Sequence, residues 1–131
     1  MVNFLAAVLF GAMISFMILV SPVVFKILSA EDTKKFLRMF FPRLFNFGLI
    51  LSGLLIFFSF QESNLFNQSL SIIIFFGFLI NQFIITPKVN KYRDLELKGV
   101  EDAKKIFNTL HFLSVCIFVL QLILSLIIIF N

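Results

Sequence analysis

Lys26–Arg43, KILSAEDTKKFLRMFFPR, and Lys88–Lys105, KVNKYRDLELKGVEDAKK, together hold all eleven Lys and Arg residues of this 131-residue chain. Outside them the only charged side chain is Glu62, and Phe, Ile, Leu and Val dominate. Two basic segments set into an apolar chain are the pattern of a membrane protein whose Lys- and Arg-rich loops face the cytoplasm.

The residues flanking the two segments fit that pattern. The chain is 60 % hydrophobic with a mean hydropathy of +1.06, more apolar surface than a soluble domain of this length can bury. A membrane-crossing helix needs about twenty mainly apolar residues, and there are four such runs, 3–25, 43–60, 69–86 and 106–130. They nearly exhaust the chain, so the expectation is one all-α domain over 1–131, an integral membrane four-helix bundle. Each Lys or Arg left at the bilayer centre would cost about 2.5–3.5 kcal/mol, so shifted spans fare worse. With 26–43 and 88–105 cytoplasmic, Met1, the 62–68 loop and Asn131 are expected outside. The first run lacks a basic n-region and is longer than the apolar core of a secretory signal. It is therefore read as a retained span, and the expected location is a bacterial-type inner membrane.

The two halves resemble each other. Ser21-Pro22-Val23-Val24-Phe25-Lys26 leaves the first span and Thr86-Pro87-Lys88-Val89-Asn90-Lys91 leaves the third. Glu31-Asp32-Thr33-Lys34-Lys35 leads to the second span and Glu101-Asp102-Ala103-Lys104-Lys105 to the fourth. Both hairpins run in the same direction, so a duplication would be a parallel repeat about an axis along the membrane normal. Chance is the competing account, because Ser/Thr-Pro is a common helix exit and Lys-rich segments match easily.

Within the first basic segment, Ser29 is a candidate N-cap, with Glu31 and Asp32 near the positive end of the helix dipole. Phe36, Leu37, Phe40 and Phe41 follow with Lys34, Lys35 and Arg38 opposite. This predicts an amphipathic loop helix lying in the headgroup layer, its cations favouring anionic lipid by about 1 kcal/mol each. Pro42 suits the first turn of the second span. In the other segment, Tyr92, Leu95 and Glu96 continue a helical spacing beyond Pro87, which predicts a projecting third helix ended by Gly99. No aromatic interleaving or recognised motif points to nucleic acid.

Helices in lipid associate where small residues let their backbones approach. Ala7, Gly11 and Ser15 recur every fourth residue on the first span, as do Gly48 and Ser52 on the second. These faces are expected to pack inside the bundle, with a homodimer seam as the alternative. Cys116, the only cysteine, cannot form an internal disulfide and is read as a small buried apolar residue.

The polar residues within the spans are the remaining candidates for function. Asn81 and Gln82 precede Pro87, while Asn108, His111, Ser114, Gln121 and Ser125 share a broad face of the fourth span. Pro22 and Pro87 each free a backbone carbonyl. Ser21, Thr86 and Asn81 are therefore expected to join His111 around a polar pocket. His111 alone titrates near neutrality and has the chemistry of a base, a proton relay or an axial ligand. No second His, Cys cluster or carboxylate pair accompanies it, and a hydrogen-bonded interfacial histidine accounts for it equally simply. The sequence requires no cofactor.

At these residues the chain resembles a known family. Phe41-Pro42-Arg43-Leu44-Phe45 is similar to its Phe-Pro-x-aromatic-Phe, Asn81 and Pro87 to its Asn-x5-Pro, and Phe107, His111 and Ser114 to its Phe-x3-His-x2-Ser. This is the transmembrane protein 205-like family, catalogued as domain of unknown function 4149. Its pattern often has Gly after the His and Asn further along, where this chain has Phe112 and Phe118. The resemblance implies a four-helix membrane protein without naming an activity. The leading expectation is a non-enzymatic module that binds or passes a small polar or lipidic ligand at the cytoplasmic end. Asn81, Asn108, His111 and Ser114 would line its site, with Pro22, Pro42, Pro87, Gly11 and Gly48 structural. The alternatives are a redox protein holding haem or quinone through His111, and an assembly partner of another membrane complex.

Overall fold

A computed structural model describes residues 1–131. It consists of four helices and no strands: α1 Val2–Ile27, α2 Ala30–Gln61, α3 Leu65–Leu97 and α4 Ala103–Phe130, each long and apolar enough to cross a membrane. They pack in a ring, α1 on α2, α2 on α3, α3 on α4 and α4 back on α1. Leu9, Met13, Leu55, Ile74, Phe78 and Ile128 form the fully buried centre. Only 27 of the 131 residues are buried, and the outer surface keeps large apolar side chains such as Ile18, Ile50, Phe83 and Phe112. That surface is matched to lipid rather than water.

Local sequence ends each helix. Ser29 Oγ accepts from the Asp32 N–H at 3.1 Å, capping α2. Asn64 Oδ1 accepts from the Asn67 N–H at 3.1 Å and caps α3. Gly99, at φ +76°, carries the left-handed turn that follows α3. Glu62 accepts from the Val2 N–H at 3.4 Å, which sets the one isolated carboxylate against the positive end of α1. The two Glu-Asp pairs fold differently. Glu31 and Asp32 lie in the first turn of α2, whereas Asp102 precedes α4 with φ 62°.

Both basic segments lie at one end of the ring. There α2 and α3, at 32 and 33 residues, extend well past the bilayer, because each is about 50 Å long against a hydrocarbon thickness of about 30 Å. The segment before Pro42 is thus not a separate helix lying in the headgroup layer. It continues α2 upright, and Pro42 is internal to the helix rather than in its first turn. An interior Pro costs about 3 kcal/mol. Against this, Phe16 of α1 stacks on Phe40 at 4.9 Å and meets Phe41 edge-on at 5.2 Å, while Phe36–Phe40 and Phe41–Phe45 stack along α2 at 5.3 and 5.5 Å. Aromatic pairs contribute about 0.5–1.5 kcal/mol each beyond their burial, so four of them offset the proline.

Pro22 and Pro87 act through the turn before them. A five-residue π-helical turn precedes each Ser/Thr-Pro pair, Phe16–Val20 in α1 and Asn81–Ile85 in α3. The Ser21 N–H reaches back to the Phe16 carbonyl and the Thr86 N–H to that of Asn81, five residues in both cases. Widening the turn accommodates a ring that would collide with the carbonyl four residues earlier. It also inserts one residue, so every face beyond it is rotated by about 100°. The close packing of α1 on α4 accordingly belongs to Val2–Ser15, and from Phe16 onward α1 meets α2.

The small-residue faces divide. Gly48 holds the α2–α3 contact, because a Cβ there would lie closer than 3.0 Å to the Phe78 ring, and Ser52 is fully buried. On α1 the expectation fails: the inward stripe is Val2, Leu5, Leu9 and Met13, while Ala7 and Ser15 are exposed and Gly11 has no atom within 4 Å of an added Cβ. Cys116, expected inside, is exposed on α4. Its helix buries the face carrying Phe118, Gln121 and Ser125 instead.

Candidate functional site

Where α1 turns away from α4, the basic end of the ring encloses a cavity of about 710 Å³ touched by all four helices, within the size range of small-molecule sites. Its deep part is apolar, with Phe16 from α1, Phe45 from α2 and Phe118 from α4, all buried, and with the exposed Met17 and Val115 at its open side. Its other end is polar and basic, with Lys34 and Arg38 from α2 and Asn90 and Arg93 from α3. His111 and Ser114 lie between the two on α4.

Ion pairs and an aromatic stack hold the polar end. Arg38 Nη2 donates to Asp94 Oδ1 at 2.6 Å and to the Asn90 carbonyl at 3.0 Å, and Lys34 Nζ donates to the same Asp94 oxygen at 3.1 Å. Hydrogen bonds from Arg38 first, then Lys34, hold the Asp94 carboxyl below its ordinary value. Arg93 pairs with Glu96 at 2.8 Å and places its guanidinium 4.2 Å from the centroid of Phe107. Phe107 stacks in turn on His111, with ring centroids 5.8 Å apart. The contacts that orient the His111 ring are therefore aromatic.

Of the residues expected to line a pocket, His111, Ser114 and Thr86 do so. Asn81 is fully buried behind the wall, its Nδ2 at 3.5 Å from the Ser114 carbonyl and its Oδ1 unpartnered. Asn108 is exposed outside the lining, and Ser21 does not reach the cavity. The other polar residues tie helices together towards the opposite end. Gln121 Nε2 donates to the Ile74 carbonyl at 2.9 Å in space left by Gly77, Ser59 and Ser71 hydroxyls meet at 3.3 Å, and Asn131 bonds Asn67 at 3.0 Å. No three His, Cys, Asp or Glu side chains converge as a metal-ligand set.

Lys34, Arg38, Asn90, Arg93 and Asp94 are site residues that the sequence does not single out. Lys34 with Arg38, and Asn90 with Asp94, are i,i+4 pairs, each presenting one helix face. That spacing was the available signal, but nothing local says that the two faces meet.

Four apolar helices in a ring, lipid-matched outside and hollow at the basic end, define a multi-pass helical membrane protein. The chain belongs to the family described as Domain of unknown function (DUF4149), whose model matches residues 4–97. The match takes in Phe41–Phe45 and the Asn81-x5-Pro87 spacing; Phe107, His111 and Ser114 lie beyond it. Neither the curated proteins nor the solved structures contain a match to the chain.

Proposed function

We propose that this protein is a non-enzymatic membrane module that binds or passes a small polar or lipidic ligand through the cavity at its basic end, and that this end faces the cytoplasm from a bacterial-type inner membrane. One observation carries the reading: a cavity of about 710 Å³ with an apolar interior, and with His111 and Ser114 where that interior meets the cations of α2 and α3. His111 and Ser114 contact the ligand, and Asn81 supports the Ser114 wall. Asn108, exposed outside the lining, contributes only if the ligand passes out over the start of α4. Concentration of positive charge at one end supports the orientation. The matching π-helical turns before Pro22 and Pro87 support a parallel repeat.

The test is ligand-dependent thermal stabilisation of the purified protein against a panel of small polar solutes and lipids, with His111→Ala beside the native chain. Stabilisation lost in the variant supports the site. Equal stabilisation in both removes His111 from it, and a visible chromophore bound through His111 would replace this reading with a redox one. A second reading, an assembly or homodimer role, draws on the uncovered Ala7, Gly11 and Ser15 face of α1. On that reading Gly11→Leu splits the complex while ligand binding persists.

A further inference from the structure

The geometry points to an anionic amphiphile as the occupant of the cavity: one lipid with a phosphate headgroup held by Lys34, Arg38 and Arg93, its chain lying in the apolar part beside Phe45 and Phe118. This deepens the ligand-binding reading and rests on it.

Polarity varies with depth in the cavity. α1 and α3 run towards the basic end and α2 and α4 away from it, so Phe16, Phe45 and Phe118, all buried, are the deep lining residues. Lys34 and Arg38, in the part of α2 preceding Pro42, and Arg93, six residues beyond Pro87, are the shallow ones. All three cations of the lining thus lie at its shallow end, beside Phe25, Leu28 and Leu37, and none lies at its deep end, as the phosphate of a leaflet lipid lies above its chain.

Charge favours the same occupant. Three cations line the cavity, while the carboxylates that pair with them, Asp94 and Glu96, lie outside its lining. Three positive against two negative leaves a net positive site, with the positive groups on the inner side. Donors also remain free. Lys34 uses one N–H on Asp94, Arg38 engages its partners through Nη2, and Arg93 engages Glu96 through Nη1. A Lys carries three donors and an Arg five, and guanidinium groups suit the planar, bidentate recognition of phosphate oxygens.

The mouth of the cavity is lateral. α1 packs closely on α4 only through Val2–Ser15. The lining residues Met17 and Phe25 of α1 and Val115 and Val119 of α4 are 42, 63, 43 and 36 % exposed. The rim is therefore apolar on both helices and faces the bilayer, so a lipid slides in sideways without passing its chain through water. A free polar anion has no comparable reason to use such a mouth.

The test is native mass spectrometry of the intact protein released from detergent in the presence of dioleoyl phosphatidic acid, dioleoyl phosphatidylcholine or inorganic phosphate. The expected result is a one-to-one phosphatidic acid adduct, with phosphatidylcholine retained about tenfold less and inorganic phosphate not retained. Arg93→Gln is expected to weaken phosphatidic acid about tenfold. Val115→Trp, which fills the rim without altering charge or the buried core, is expected to do the same. Lys88→Gln with Lys91→Gln, removing two cations of the same helix that do not line the cavity, should change nothing. The proposal is overturned if phosphatidylcholine binds equally, if inorganic phosphate binds as well as the lipid, or if the Lys88 and Lys91 variant loses as much as Arg93→Gln. In the first two cases a ligand site remains and the broader reading survives. No adduct with any probe, together with no stabilisation in the His111 experiment, removes both.

Discussion

Replacing Gly48 by Ala should destabilise the protein, whereas the same change at Gly11 should not. The Gly48 Cβ would fall closer than 3.0 Å to three atoms of the Phe78 ring. That ring has no room to retreat: Phe78 is 0 % exposed and is flanked by Phe45 at a centroid distance of 6.3 Å. Overpacking of this kind costs about 1–3 kcal/mol, while Gly→Ala in a helix returns about 1 kcal/mol of propensity. The net expectation is a loss of up to about 2 kcal/mol, as much as about 30-fold in the folded-to-unfolded ratio. At Gly11 an added methyl meets nothing within 4 Å, so only the propensity gain of about 1 kcal/mol remains. The two variants should therefore shift in opposite directions when unfolding in mixed micelles is titrated with dodecyl sulfate and followed by far-ultraviolet circular dichroism. Adding Phe78→Leu to Gly48→Ala should recover part of the loss, because the two residues share one contact and their effects are not additive. A Gly48→Ala midpoint at or above that of Gly11→Ala would refute the assignment of the two glycines to different environments.

Two further outcomes follow from the ends and the outer face of the bundle. Asp94 has its pKa lowered from the ordinary 3.8 by Arg38 and Lys34, so its stabilising contribution is fully present above that value and is lost as the pH falls through the lowered pKa. The stability deficit of Asp94→Asn should be present at neutral pH and shrink at pH values below 3.8, in thermal melts across that range; a deficit independent of pH would show that the carboxylate's charge is not what matters. Cys116 is exposed on α4, within a span, so in native membranes a lipid-soluble maleimide should label it and a charged, membrane-impermeant one should not; equal labelling by both would place that face of α4 in water.

The fold was largely written in composition. Positive charge confined to 26–43 and 88–105, with four apolar runs around it, requires helices across a bilayer, because unpaired backbone and isolated charge are both too costly in hydrocarbon. Local chemistry likewise marked the Ser29 cap and the Gly99 turn, since these depend on residues adjacent in the chain. The candidate site was legible only in part. His111 and Ser114 could be singled out as polar residues in an apolar span, but Asn108, on the same apparent face, lies outside the cavity. Lys34 and Arg38 looked like solvated cations of an interfacial helix until α2 was found to pass unbroken through Pro42 and bring them to Asp94. Gly11 and Gly48 have the same local signature and opposite surroundings. The sequence by itself determined which segments leave water, because the cost of desolvating charge and backbone depends on each residue's own chemistry. Only the tertiary structure decided which faces meet and where a hollow is left, because the register shifts at Phe16–Val20 and Asn81–Ile85 rotate everything beyond them and no single helix specifies its neighbour.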